Sequence, residues 1–133
     1  MHLRDLIGIP YRPLGRTRDG ADCWGLCLLA AHELYAVELP LYYYTEADIL
    51  SHAYEHIRRE TSGLPQWTAV GQAKHHQPGD IHIFRIKGFE THCGIDVGAG
   101  DFLHSLAGRD SCVESLRSLL WSHCLTGTYR WTP

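Results

Sequence analysis

The segment from Cys23 to about Val37 constrains this chain more than any other. Trp24, Leu26, Cys27, Leu28, Leu29, Ala30, Ala31 and Leu34 make it almost continuously apolar. It is too long for one strand and too evenly apolar for a helix that buries a single stripe, so a helix enclosed on most sides is expected. Asp22 stands where an N-cap belongs, its carboxylate able to accept an N–H of the first turn. Glu38-Leu39-Pro40 marks the end, because proline has no N–H to continue the ladder and disfavours helical geometry in the residue before it. The Gly-, Pro- and Arg-rich residues before Asp22 read as an irregular loop running into this helix. A chain of 133 residues has room for one core around such a helix and not comfortably for two, so residues 1–133 form a single domain.

A second helix is signalled by Thr45 and Asp48, a capping-box-like start, with Ile49, Ala53, Tyr54 and Ile57 on one face and an end near Ser62-Gly63. After the turn cluster Gln77-Pro78-Gly79-Asp80 the pattern changes to strands: Ile81 to Ile86, Thr91 to Val97, Asp101 to Leu106 and Cys112 to Glu114. A brief helix around Leu116 to Ser122 and a last strand from Gly127 to Trp131 complete the chain. Helices first and an antiparallel sheet after is an α+β arrangement.

Acidic and basic residues are interspersed with a formal net charge of −3, and no basic run offers a surface for nucleic acid. The first ten residues show no cationic segment followed by an apolar run, and no stretch approaches the roughly 18 apolar residues of a membrane span. A product made in the cytoplasm without a signal peptide is the expectation. Five cysteines with no Cys-x-x-Cys pair fit reduced thiols rather than a disulfide framework or a zinc knuckle. Of the ten histidines, His2, His32, His52, His56, His75, His76 and His123 are assigned to surface or helix faces. No metal site or other cofactor is expected.

Cys23 falls at the first turn of the apolar helix, where unpaired N–H groups and the positive end of the dipole favour thiolate. It needs a base. The hairpin of Thr91 to Val97 and Asp101 to Leu106 holds two histidines, and register decides whether they cooperate. A three-residue loop, Gly98-Ala99-Gly100, pairs Val97 with Asp101 and Gly94 with His104, and sets His92 diagonally beside His104 on one face. If that face lies against the helix start, His92 takes the Cys23 proton and His104 holds the imidazole by its other nitrogen, the logic of nucleophile, base and orienter.

Four blocks of this sequence resemble the NlpC-type cell-wall cysteine endopeptidases, whose fold is papain-like. Gly8-Ile9-Pro10-Tyr11, Gly15-Arg16 and Gly20-Ala21-Asp22-Cys23-Trp24-Gly25-Leu26 are similar to the nucleophile block, particularly of the bacteriophage-tail branch. Pro78-Gly79-Asp80-Ile81 is similar to the segment before the base, Thr91-His92-Cys93-Gly94-Ile95 to the base block, and Phe102-Leu103-His104-Ser105 to the block of the orienting histidine. The resemblance implies Cys23 as nucleophile, His92 as base and later acid, and His104 as orienter. It also implies that Tyr11 steadies the oxyanion or substrate, a ring packed over the helix start being an equally good reading, and that Asp22 lies beside the substrate's free amine, a role compatible with N-capping. Its usual reaction is hydrolysis of the γ-D-glutamyl–diamino acid bond in peptidoglycan stem peptides, without a metal. Cys27 and Cys93 are extra thiols near the site, and Leu41 to Thr68 lies outside the general family core.

The tail branch implies a setting: assembly into a phage tail tip, with other tail-tip proteins as partners and the virion as final location. A secreted amidase toxin would share the fold, the triad, the size and the missing signal, and is the nearest enzyme alternative. A structural tail-tip subunit with a masked triad is the reading from another class, for which Tyr42 to Tyr44 and Trp67 offer either a docking patch or ordinary core.

Overall fold

The structure, a computed structural model, describes residues 1–42, 44 and 66–133. The helix expected from Thr45 to Ser62 lies outside the described residues.

The apolar segment is helical as expected. Helix α1 spans Cys23–Tyr35 and buries Cys23, Trp24, Gly25, Leu26, Cys27, Ala30 and Ala31. The Asp22 carboxylate caps it by accepting the Gly25 N–H at 2.7 Å, which satisfies one orphan donor of the first turn. The helix stops earlier than the proline suggests, at Ala36, whose left-handed backbone (φ 53°) lets the N–H groups of Ala36 and Val37 close on the carbonyls of His32 and Ala31. This is the 5→1 and 6→1 type of closure more often made with glycine.

The loop before α1 holds more order than its composition suggests. Arg16–Thr17 (β1) and Gly20–Ala21 (β2) pair antiparallel, and Tyr11 bridges to Ala21. The remaining strands are β3 (Trp67–Ala69), β4 (Ile81–Ile86), β5 (Phe89–Gly98), β6 (Asp101–His104), β7 (Cys112–Ser115) and β8 (Leu125–Trp131). They form one antiparallel sheet in the order β3-β8-β4-β5-β6-β7, with a short helix, α2 (Leu119–Cys124), before β8. Strand β3 and the first two residues of β8, Leu125 and Thr126, are not legible in the sequence, because neither stretch alternates strictly. This is the expected α+β architecture.

Side chains of a strand alternate between the two faces of its sheet, and here the faces differ in character. One carries Ile81, Ile83, Cys93, Ile95 and Leu103 into a cluster with Leu26, Cys27, Ala30 and Ala31 of α1. The other carries Phe84 and Phe102, which pack with Trp121 of α2 in a second cluster, and the rings of His92 and His104 lie in contact with these aromatics. The expected meeting of the histidine face with the helix is made at the helix start, where Cys23 shares a hydrogen bond with His92, and not along the helix body. The helix packs on the aliphatic face, since only that face can bury its apolar side chains without stranding polar groups.

Tyr42, Tyr44 and Trp67 pack against the main core. Trp67 sits 5.0 Å from Trp131, ring to ring, and its Nε1–H donates to the Tyr42 hydroxyl at 2.7 Å. These side chains serve as core, the second of the two readings above; Tyr43 lies outside the described residues.

Candidate active site

The β5–β6 hairpin delivers the pairing that the site needs through a turn other than the expected one. Gly94 faces His104, Ile95 faces Leu103 and Asp96 faces Phe102, but Gly98, not Val97, pairs with Asp101. The turn is thus the two-residue Ala99-Gly100, with φ of 56° and 81°, and Val97 is the extra residue of a bulge. The Asp96 carboxylate accepts the Gly98 N–H at 2.8 Å and so fixes the bulge. Below it the register is the expected one. Gly94 leaves the space between the histidines: a Cβ there would stand 2.8 Å from the Phe102 ring and 3.3 Å from the His104 Cβ.

His92 Nε2 and His104 Nδ1 are 2.7 Å apart, and His104 Nε2 lies 2.6 Å from Glu114 Oε2. An ionised carboxylate only accepts, so His104 Nε2–H donates to Glu114. The neutral His104 ring then presents Nδ1 as an acceptor, and His92 must donate to it from Nε2–H. That leaves His92 Nδ1 as a lone pair for the Cys23 thiol, with which the ring shares a hydrogen bond. Glu114, on β7 beside Phe102, thereby sets the tautomers of both rings. Sequence reasoning missed it because nothing in Cys112 to Glu114 marks a third strand as part of the site.

Burial shapes the proton affinities. His92 is 3% exposed and His104 1%, and desolvation holds both imidazoles below the ordinary histidine value of 6.5, against the upward pull of Cys23 on His92 and of Glu114 on His104. Trp121, unnoticed in the sequence, supplies much of that cover, 5.9 Å from the His92 ring and 4.8 Å from that of His104. The Cys23 thiol departs from expectation. The neighbouring Cys93 thiol and burial push it well above its ordinary range, while its bond to His92 pulls the other way. The helix start does not decide the matter because a second sulfur and a nearly closed surface stand at the same spot. The surroundings thus favour the neutral thiol at Cys23, which shares a hydrogen bond with His92.

Tyr11 lies close enough to Cys23 and Asp22 for their charges, after burial, to push its phenol further up. It remains a neutral donor at the edge of the site. Asp22 is 1% exposed, and both of its oxygens are occupied. They accept from the N–H of Gly25 and of Leu14, from Arg16 at 2.9 Å, and from the Tyr44 hydroxyl at 2.8 Å. Asp22 is therefore a cap and an anchor, and a substrate amine beside it would share its carboxylate with Tyr44 and Arg16. Asp80, from the block before the base, is likewise structural, held by Arg130 through Nε and Nη2, both at 2.8 Å.

Among the described residues, two groups bring donor atoms within 4.8 Å of one another: His76, His82 and Asp96, and separately His104, Cys112 and Glu114. In each, a histidine N–H already bonds to the carboxylate. His76, assigned to the surface in the sequence, is half-buried and rests 4.9 Å from the His82 ring.

Residues 8–130 match the model of the NlpC/P60 family. This chain belongs to that family. It is 30% identical over 132 residues to the murein DD-endopeptidase MepH of Escherichia coli, covering 96% of this chain and 43% of that protein. It is 24% identical over 117 residues to the Escherichia coli murein DD-endopeptidase MepS/murein LD-carboxypeptidase, covering 88% and 53%. The chain thus spans about half the length of the curated relatives it matches. An NlpC/P60 family protein from Bacillus cereus superposes with a TM-score of 0.64 at 22% identity, over 96% of this chain and 37% of that one. The NlpC/p60 domain of the peptidoglycan hydrolase SagA gives 0.60 at 20% identity, over 96% and 91%. At those identities the likeness shows the fold, the papain-like α+β arrangement of this family.

Proposed function

We propose that the chain is a cysteine peptidase that hydrolyses the γ-D-glutamyl–diamino acid bond of peptidoglycan stem peptides. The observation that carries this reading is the unbroken line from Cys23 through His92 and His104 to Glu114, placed in a chain whose relatives are murein endopeptidases.

In this mechanism His92 Nδ1 takes the Cys23 proton as the sulfur attacks the carbonyl carbon, so charge separates only in the transition state, where it is needed. The first-turn N–H groups of α1, that of Cys23 foremost, face the developing oxyanion, with the Tyr11 hydroxyl beside them. His92 returns the proton to the leaving amine, and an acyl-enzyme thioester remains. Water, deprotonated by the same ring, cleaves the thioester and restores the thiol. His104 and Glu114 keep the lone pair of His92 on Nδ1 throughout. A groove lined by Arg12, Leu14, Gly15, Arg16 and Gly20 opens beside the start of α1, a suitable place for an acidic stem peptide.

Incubation with diaminopimelate-type stems and with cross-linked dimers, read by mass, tests the reading. Cleavage after γ-glutamate that disappears in Cys23→Ala supports it. The names of the DD-endopeptidase relatives favour a second bond, between D-configured residues of the cross-bridge, and cleavage of dimers with intact monomer stems would establish that one instead. A folded protein that cuts neither substrate would leave the structural-subunit reading.

The same proposal places the chain in a phage tail tip, assembled in the bacterial cytoplasm and carried on the virion. The support is the likeness of Gly8 to Leu26 to the tail-associated branch. Detection of the chain in purified virions, bound to tail-tip proteins, is the expected result; a gene paired with an immunity protein would point to a secreted amidase toxin.

A further inference from the structure

Three thiols that peptide hydrolysis does not require as a set meet at the start of α1. Cys23 and Cys27 are one helical turn apart and present their sulfurs to the same side. Cys93 reaches them from the helix-facing side of β5. Its thiol shares a hydrogen bond with Cys23, and its sulfur is 3.7 Å from that of Cys27. Cys27 and Cys93 are both fully buried, whereas Cys23 keeps 6% exposure. Only the outermost sulfur of the row is open to small solutes, and the two behind it are protected from them.

We propose that this row is a site of reversible oxidative modification, in which Cys93 captures an oxidised Cys23 and passes the disulfide inward to Cys27. A hydroperoxide oxidises the Cys23 thiolate, formed by proton transfer to His92, to the sulfenic acid, and is itself reduced to the alcohol or water. The Cys93 sulfur attacks the Cys23 sulfur, the S–O bond breaks, water leaves with the Cys93 proton, and the Cys23–Cys93 disulfide forms. The Cys27 sulfur then attacks the Cys93 sulfur, the proton from Cys27 passes to the departing Cys23, and the products are a Cys27–Cys93 disulfide and a free Cys23 thiol. The oxidising equivalent ends in the core and the nucleophile is restored. Further oxidation of Cys23 to the irreversible sulfinic acid is forestalled, because an intramolecular thiol in contact outcompetes a second peroxide arriving from solution. A thiol reductant completes the cycle.

The inference rests on Cys23 being the nucleophile of the proposed reaction only for its biological consequence, and its test reads sulfur chemistry directly. Purified protein is exposed to graded hydrogen peroxide, alkylated, digested and mapped by mass, with far-ultraviolet circular dichroism to confirm folding. The wild type should pass through Cys23–Cys93 and accumulate Cys27–Cys93 with Cys23 still alkylatable. Cys27→Ala should stop at Cys23–Cys93. Cys93→Ala, with Cys93→Ser as a second variant should the first fold poorly, should carry several-fold more sulfinic acid at Cys23, not recovered by dithiothreitol. Equal sulfinic acid at Cys23 with and without Cys93, or no disulfide containing Cys93 in the wild type, overturns the proposal. A Cys23–Cys93 disulfide as persistent in the wild type as in Cys27→Ala overturns the inward transfer. A protein that cleaves no peptidoglycan still gives the same map, so failure of the functional reading and failure of this one are told apart.

Discussion

Two histidine–carboxylate pairs occupy the same face of the sheet and do opposite things. His104 Nε2 donates to Glu114 at 2.6 Å, and its other nitrogen leads through His92 toward a thiol. His82 Nε2 lies 2.9 Å from Asp96, and its other nitrogen ends 2.8 Å away on the Thr128 hydroxyl. Both rings are almost wholly buried. The second chain begins and ends in groups that stay put. Asp96 uses its other oxygen to hold the Gly98 bulge, so His82 anchors the turn that sets the register bringing His92 beside His104. A buried histidine with a carboxylate is thus not itself a sign of catalysis; what stands at the far nitrogen decides.

The sharpest way to break the comparison is to remove each inner histidine in turn. His92→Ala should lower kcat/KM per folded molecule by about 10⁴-fold or more, since base and acid are lost together, beside the stability cost that emptying a buried site carries in either variant. His82→Ala should cost about 2 to 4 kcal/mol by urea unfolding, because it leaves a cavity and orphans Asp96 and Thr128. Turnover per folded molecule should stay near wild type. A stable His82→Ala with lost turnover would dissolve the distinction.

His104→Ala comes next, with a loss of about 10²-fold in kcat and KM nearly unchanged, as suits a residue that orients rather than transfers. A loss equal to that of His92→Ala would mean that His104 shares the proton transfer. Glu114→Ala should follow at about tenfold, through loss of the tautomer preference in both rings. Glu114→Gln, whose amide oxygen still accepts from His104 Nε2–H, should recover much of that activity. Imidazole ¹⁵N shifts of His92 check the cause: the Nε2–H tautomer should dominate in wild type and lose dominance in Glu114→Ala.

The smallest effect is on pH dependence. Burial holds His92 and His104 below the ordinary value of 6.5, so the folded protein binds fewer protons there than the unfolded chain. The stability from keeping them neutral is present above 6.5 and is lost as pH falls from that value through their lower folded values. The acid limb of kcat/KM should accordingly lie below 6.5. Trp121→Ala admits water to both rings, relieves the desolvation and should move that limb upward toward 6.5; an unmoved limb would show that Trp121 does not set the proton affinity of the base.

Much of this could be read without coordinates, for reasons tied to particular residues. The apolar run behind Asp22 dictates a buried helix with Cys23 at its first turn, because no other secondary structure hides so many consecutive side chains. Glycine at position 94 and the turn residues at 98 to 100 bring His92 and His104 together, since strand pairing converts sequence spacing into distance. Other features escaped for equally physical reasons. Val97 enters a bulge because the Gly98 N–H donates to the side chain of Asp96, a local competition that alternation does not register. Glu114, Trp121 and His82 come from elements that join the site or its supports only when β7, α2 and β4 dock on the same face.

By itself, the sequence determined the helix, the β5–β6 hairpin and which sulfur and imidazoles are brought within reach, because those follow from local periodicity and turn chemistry. Only the tertiary structure decided the protonation of the site. A carboxylate from a third strand sets the tautomers, a tryptophan from another helix removes water, and the thiol across from Cys23 pushes its proton affinity up. Each depends on burial and on neighbours distant along the chain, and charge responds to surroundings in space rather than to position in sequence.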